Sequence, residues 1–477
     1  LIDTFLFLCE NPLIEKEFRP MNNEEYKKSF VLQLFNLEEE DVQDVRYIPA
    51  GDNTVIDIKL LPSAEPCDVC GYDKPVVKNY VLKKINHSIL TDRKCTLHYH
   101  ARRYECPVCK KTYYEKNPFF FKSMKISAKT VYSILEDLKN YNETFSSVAK
   151  RYHVSPTSAA SIFDSHVNME RKPLPAILNF DEVYAFKSTE SKYVCVLLDF
   201  EKQTPVDVLP SRRYDYLLSY FMSIPLKERK NVQFVCSDMY DCYRSIAKAC
   251  FPNCITLVDH YHVSADLNKR VDSVRTRVMK QARNSKDKSK YYLLKNFNWM
   301  IYTNDDEKFN PDSPKKFNRH FNHYMNFYDL REKILEISPE LNEAWMLKDE
   351  VVRFYNECTS DNAKDELNKI IKRFKSSSVA EIVDFSKTLN KWKEEIVNSF
   401  YIVGHEYKVN AGTGYVAARQ KKINNAIIEN RNSIIKCLKK NANGYSNWTR
   451  FRNRILYVLD KNSTYSMYPI VKRKGDK

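Results

Sequence analysis

Ala176-Ile-Leu-Asn-Phe-Asp181-Glu182-Val-Tyr-Ala-Phe186 alternates as a strand would and sets two acids in the middle of an apolar run. A carboxylate buried there needs a compensating cation. Successive strand residues point to opposite faces, so Asp181 and Glu182 cannot serve one site together. Asp181 is the expected site residue and Glu182 the runner-up. Downstream, Tyr193 to Asp199 and Pro205 to Leu209 read as two further strands joined by a polar turn, with Asp199 a strand-end residue. Asn231 to Asp238 is an apolar strand ending in a carboxylate where a helix starts at Tyr240, and Cys254 to Val258 ends in Asp259-His260-Tyr261-His262. Asp266 to about Phe400 then reads as long helices, whose Trp299, Trp345 and Trp392 are expected in the core.

A third acid lies far downstream. On the helix that carries Ile423, Ile427, Ile434 and Leu438 as its apolar stripe, Lys422, Asn425, Glu429, Asn432, Lys436 and Lys440 recur at spacings of three and four on the other side. A merely solvated face would show acids and bases in i, i+4 pairs. One carboxylate among amides and lysines instead marks Glu429 as a metal-ligand candidate. In the next segment Trp448, Phe451 and Ile455 fall on a core-facing side, with Arg450 and Arg454 on another.

The whole chain of 477 residues is long enough for about three domains. Lys and Arg number 77 against 61 Asp and Glu, a net +16, and 13% of residues are aromatic, which points to a polyanionic partner. From Tyr415 to Lys477 there are 15 Lys and Arg against three acids, so most of the charge sits at this end. No glycine lies between Gly71 and Gly404, which excludes a Walker-type phosphate loop there and with it a nucleotide cofactor. Gly412-Thr-Gly414-Tyr-Val-Ala417 mimics a dinucleotide fingerprint outside any strand, helix, strand unit. The longest early apolar run, Phe5 to Leu8, is too short for a membrane span, so a cytoplasmic protein without a membrane partner is expected.

Two motifs precede the acidic strand. Cys67-Asp-Val-Cys70 and Cys106-Pro-Val-Cys109 are knuckles able to present four thiolates to one structural zinc, with Cys95, His98 and His100 as substitutes inside the spacer. Residues 83–111 carry eight Lys and Arg against two acids, and Arg102, Arg103, Lys110 and Lys111 are the expected phosphate contacts. Next, Phe145, Val148, Ala149 and Tyr152 share one helical face, and Ser155-Pro156 is a cap and first position for a second helix running toward Val167. This is a helix-turn-helix pattern, with Thr157, Ser158 and Ser161 facing the groove.

The order of these parts resembles the DDE transposases of bacterial insertion sequences, in the ISL-three branch that carries an N-terminal zinc-binding domain. The segments that bear the resemblance best are Phe251-Pro-Asn with Asp259 to Val263, and Glu429 to Tyr445. The family usually has Asn-Gly a few residues before the glutamate, whereas here Asn425 is followed by Ala426. The resemblance implies a catalytic triad of Asp181, Asp238 and Glu429 holding two Mg2+ or Mn2+ ions, with Asp259, His260 and His262 as accessory candidates, and an RNase H-like sheet in a multidomain α+β chain. The expected organisation is a leader (1–61), a zinc-binding domain (62–120), a helix-turn-helix domain (121–170), a catalytic domain in two parts (171–280 and 406–465) around an all-α insertion (281–405), and a basic tail (466–477). Lys436, Lys440, Arg450 and Arg454 join the DNA-contact set. The implied partners are double-stranded DNA, as terminal inverted repeats and as target, and a second copy in a homodimer on that DNA, in a bacterial cytoplasm where the bound protein is nucleoid-associated. The competing expectations are a catalytically silent DNA-binding regulator and an RNase H-like nuclease without strand transfer.

Overall fold

The structure, a computed structural model, describes residues 32, 37–88, 94–120, 125–186, 191–285, 288–305, 307–408 and 416–470. Gly412 and Gly414 of the dinucleotide-like stretch, and the last seven residues of the basic tail, lie outside them. The chain divides into two compact units, residues 1–168 with 464–477, and residues 169–463.

In the first unit, strands β1 (Val42–Ala50), β2 (Asn53–Leu60), β3 (Val76–Asn86), β4 (Lys94–Glu105) and β5 (Thr112–Tyr114) form one sheet in the order β1-β2-β4-β3, with β5 on β4. Alternation buries Ile56, Ile58 and Leu60 of β2 against Leu97, Tyr99 and Ala101 of β4. Residues 42–60, read as leader, are thus half of the sheet that supports the cysteine knuckles. The turn that makes them a hairpin uses Gly51 at φ +61°, a conformation glycine adopts without strain. Three helices follow: α1 (Ala128–Asp137), α2 (Phe145–Arg151) and α3 (Pro156–His166). Their caps are Ser127, Thr144 and Ser155, each accepting a backbone N–H of the first turn. Val148 and Ala149 of α2 and Ile162 and Phe163 of α3 are buried, with Phe145 edge-on to Phe163 at 5.6 Å. The chain returns here after its long excursion, where Ser466 N donates to the His166 carbonyl at 2.8 Å and Tyr465 stacks on Tyr132.

The second unit is built on β6 (Ile177–Tyr184), β7 (Tyr193–Asp199), β8 (Thr204–Leu209), β9 (Phe234–Ser237) and β10 (Ile255–Val258), in the order β10-β9-β6-β7-β8. β6, β7 and β8 run antiparallel, while β9 and β10 run parallel to β6. The period of two along β6 divides its side chains between two cores. Leu178 and Phe180 pack with Leu217 and Phe221 of α4 (Tyr214–Met222) and with Tyr243 and Ile246 of α5 (Asp241–Cys250). After α6 (His260–Arg283) and α7 (Lys288–Asn296) comes a short hairpin, β11 (Lys316–Asn318) and β12 (His323–Met325), so the insertion expected to be all-α contains a two-stranded sheet. The helical pattern is broken there by Pro311 and Pro314, with Asn322 at φ +49° in the hairpin turn. α8 (Phe327–Leu335), α9 (Pro339–Glu357), α10 (Ala363–Lys375), α11 (Ala380–Lys391) and α12 (Lys393–Asn398) pack on the Val263, Leu267, Val271 and Val274 stripe of α6, with Trp392 buried among them and Trp299 and Trp345 against them. The hairpin β13 (Ile402–Lys408) and β14 (Val416–Lys422) leads to α13 (Ala426–Asn441) and α14 (Trp448–Leu459), which cover the other face of the sheet. There Val183, Val194 and Val196 meet Ile428, Ile435, Phe451 and Ile455. No helix among the described residues is long and apolar enough to cross a membrane.

Candidate active site

Asp181 stands in the middle of the central strand and is only 8% exposed. It faces α13, where Asn432 Nδ2 donates to its Oδ2 at 2.7 Å. Burial drives the Asp181 carboxyl up to about 7, and the negative charges of Glu182, Asp238 and Glu429 push the same way. Asp238 follows the last residue of β9. Burial and the charge of Glu182 lift it to about 6 against the pull of His262 and Arg212, and its buried Oδ1 has no hydrogen-bond partner. Glu429 occupies the first turn of α13 with Oε1 3.4 Å from His262 Nε2 of α6. Acids separated by almost 250 residues therefore act on one another's ionisation.

Asp259, His262 and Glu429 can each bring one ligand atom within 4.8 Å of the others. The Asp259 carboxylate is already engaged. It caps α6 by accepting from Tyr261 N at 3.2 Å, takes Asn425 N at 3.2 Å, and has His260 Nδ1 3.3 Å away. Burial raises Asp259, but the His260 contact and the Tyr261 N–H outweigh it and leave the carboxyl below its ordinary value. Asp259 is thus a junction residue, and His262 Nε2, which makes no hydrogen bond, stands beside Glu429.

Glu429 is placed by a buried amide lock at the head of α13. Asn425, fully buried, donates through Nδ2 to the Phe180 carbonyl at 3.1 Å and accepts from Asn179 Nδ2 at 2.7 Å, while its own carbonyl receives Glu429 N at 3.0 Å. The lock ties α13 to β6 on the face that carries Asp181. Glu182, on the opposite face, is bound by Arg212 and by Tyr243 OH, the latter at 3.0 Å. Asp199 accepts Glu201 N and Lys202 N at 3.0 and 2.9 Å, as a turn residue at a strand end does.

Residues 178–405 match the model of the DDE transposase family of ISL3 type, described as "Transposase". The chain is also similar to the transposase for insertion sequence element IS1001 of Bordetella parapertussis, 20% identical over 422 residues that cover 87% of this chain and 94% of that protein. Together the two matches support an ISL3-type insertion-sequence transposase. The family match takes in Asp181, Asp238, Asp259 and His262 and stops before Glu429.

In the first unit the four knuckle cysteines converge, with Cys67 Sγ 3.5 Å from Cys109 Sγ and Cys70 Sγ 3.4 Å from Cys106 Sγ. The two turns are built alike. Gly71 N returns to the Cys67 carbonyl and Lys110 N to the Cys106 carbonyl, and both residues have positive φ, +72° and +60°. Backbone N–H groups of Val69 and Cys70 hold the Cys67 thiol down to about 7, as suits a metal-binding thiolate. Of the substitute ligands, Cys95 is buried in the sheet core and His100 Nε2 meets Asp57 at 3.0 Å, so neither joins the cluster.

Two expected phosphate contacts are corrected. Arg102 is fully buried, paired with Glu115 at 3.0 Å and donating to Gln43 Oε1 and the Leu60 carbonyl. It sits at a point of β4 where the alternation breaks and two consecutive residues turn inward. Arg454 is also fully buried, because α14 buries Asn453, Arg454, Ile455, Leu456 and Tyr457 in succession. The remaining candidates are accessible: Lys110, Thr157, Ser161, Lys436 and Lys440 are exposed, Arg103, Ser158 and Arg450 partly so, and Lys111 is exposed with Asp68 at 2.9 Å.

Asn179, Asn425 and Asn432 are the site residues that sequence reasoning misplaced or missed. The sequence puts Asn425 and Asn432 on the side opposite the apolar stripe, whereas they are buried toward the sheet with Ile428, Ile435 and Leu438. The usable signal was Asn179, a polar amide two residues before Asp181 in an otherwise apolar run and therefore on the same face.

Proposed function

We propose that this transposase cuts and joins DNA at an RNase H-like centre in which Asp181, Asp238 and Glu429 hold two divalent cations, Mg2+ or Mn2+. The observation that carries the reading is that the charges of Asp238 and Glu429 both raise the buried Asp181, together with the buried Asp238, itself raised, whose Oδ1 is partnerless. Arg212, which pulls on Asp238, is engaged by Glu182, and the hard oxygen donors that remain suit a divalent metal. Bound there, the ions supply the charge that activates the attacking oxygen and steadies the leaving one in an in-line displacement. The chain's own part is to aim the oxygens: Asn432 orients Asp181, the Asn425 lock sets the first turn of α13, and His262 steadies Glu429. The strand order, with the first acid on the central strand and the second at the end of its parallel neighbour, agrees with the expected RNase H-like sheet.

In the same reading the four knuckle cysteines hold one structural zinc, α2 and α3 form the helix-turn-helix, and Thr157, Ser158 and Ser161 meet base edges. Arg103, Lys110, Lys111, Lys436, Lys440 and Arg450 contact phosphates, with the protein acting as a homodimer on DNA. The test measures Mg2+- or Mn2+-dependent 3′-end cleavage and strand transfer beside DNA binding for Asp181→Asn, Asp238→Asn and Glu429→Gln, with Asp199→Asn as control. Binding should persist while cleavage is lost in all three and kept in the control. Cleavage without joining in the wild type would make it a nuclease, and binding without cleavage would make it a regulator.

A further inference from the structure

The β11–β12 hairpin and the start of α8 enclose a cavity of about 430 Å3 that the catalytic reading does not use. Its floor is Met325 and Leu330, both buried, and three of its walls are the rings of Phe297, Phe317 and Phe327. Phe317 is 50% exposed and Phe327 42%, so these rings stand at an open mouth. Rings left half exposed forgo apolar burial that a ligand would supply. The wall is held in place: Asn326, itself buried, donates to the carbonyls of Pro311 at 2.9 Å and Ser313 at 3.0 Å and accepts from Asp329 N at 3.0 Å. Phe317 is braced edge-on by Tyr324 at 5.3 Å.

Charge indicates the occupant. Residues 315–324, Lys-Lys-Phe-Asn-Arg-His-Phe-Asn-His-Tyr, contain three permanent cations, two histidines and no acid. Lys315 is held by Asp329 at 3.0 Å, while Lys316 lines the cavity with Lys308, and Glu307 is the one acid in the lining among the described residues. An apolar side chain from a partner protein would draw nothing from such a rim. A planar base attached to a phosphate chain uses both features.

We propose that this cavity receives one unstacked DNA base, with Phe317 against its face and Lys316 on the neighbouring phosphate. The inference rests on the DNA-acting reading above, and its test separates the two. The full chain is titrated with two duplexes of one sequence, one perfectly paired and one carrying a single bulged 2-aminopurine. The bulged duplex should bind roughly five- to 150-fold more tightly, the equivalent of about 1–3 kcal/mol for one stacked base, with the probe's fluorescence quenched. Phe317→Ala should remove both the preference and the quenching without changing affinity for the perfect duplex, and Phe317→Tyr should restore them. Because Phe317 is half exposed, its truncation leaves the fold intact, which circular dichroism checks. Binding of the perfect duplex with no preference for the bulge, or a preference that survives Phe317→Ala, overturns the pocket and leaves the DNA-acting reading standing. Failure to bind either duplex overturns the reading and the pocket together.

Discussion

Replacing Asp181 by Asn should stabilise the metal-free protein while abolishing its catalysis. The sign follows from the raised ionisation. A carboxyl near 7 in the folded chain and 3.8 unfolded keeps its proton longer when folded, so stability is full below about pH 4, declines between pH 4 and 7, and is lowest above 7. At 1.36 kcal/mol per tenfold change in proton affinity, the interval amounts to about 4 kcal/mol, an upper bound because solvent and counter-ions relax the site. Asp238, near 6, contributes a smaller decline between about pH 4 and 6 that is coupled to the first. Asparagine removes the charge and keeps an oxygen for Asn432, though its amide cannot accept Glu182 N as Oδ1 does at 2.8 Å. Losing that bond takes back about 1 kcal/mol. The net expectation at pH 8 in EDTA is therefore about 2–3 kcal/mol of added stability. Urea denaturation of wild type and Asp181→Asn at pH 5 and pH 8, with and without Mg2+, reads it. The wild type should lose stability toward pH 8 and regain it with Mg2+, whereas the variant should show only the smaller decline of Asp238 and no such Mg2+ response. An unchanged pH dependence in Asp181→Asn, or an equal Mg2+ response, would refute the assignment of Asp181 to the metal site.

Three further outcomes test the rest of the molecule. Cys106→Ser or Cys109→Ser should lose about one zinc per chain, measured by metal analysis, and weaken DNA binding while the sheet of residues 169–463 stays folded. Arg102→Ala should destabilise the first unit by about 3–5 kcal/mol by stranding Glu115, whereas Lys110→Ala should leave stability unchanged, lower affinity for all DNA sequences alike and reduce the salt slope by about one. Asn425→Ala should lower kcat for cleavage with little change in KM, and hydrogen exchange should show a looser first turn of α13, because two side-chain bonds that set Glu429 are gone.

Local chemistry was legible where it depends on neighbours in the chain. The cap at Ser155 follows from a side chain within one turn of the group it binds, and so does the helix pair α2 and α3. The two knuckles follow from a Cys-x-x-Cys spacing that a tight turn converts into a thiolate pair, and the β6 strand from its period of two. Asp181 and Glu429 could be singled out because a carboxylate in an apolar run or an amide row is locally anomalous, whereas Asp238, a strand-end acid, entered only through the family resemblance. The tertiary structure alone decided which face of α13 meets the sheet, since a helix of mixed amides and isoleucines offers two plausible stripes, and the one turned inward is the one whose amides find the Phe180 carbonyl, Asn179 and Asp181. It also decided the fate of the arginines. Arg102 and Arg454 look like any phosphate contact in sequence, and their burial rests on partners such as Glu115, Gln43 and the Leu60 carbonyl that reach Arg102 from other strands. Whether a charge faces solvent or a buried partner is set by pairings between distant segments, and a linear pattern carries no record of those.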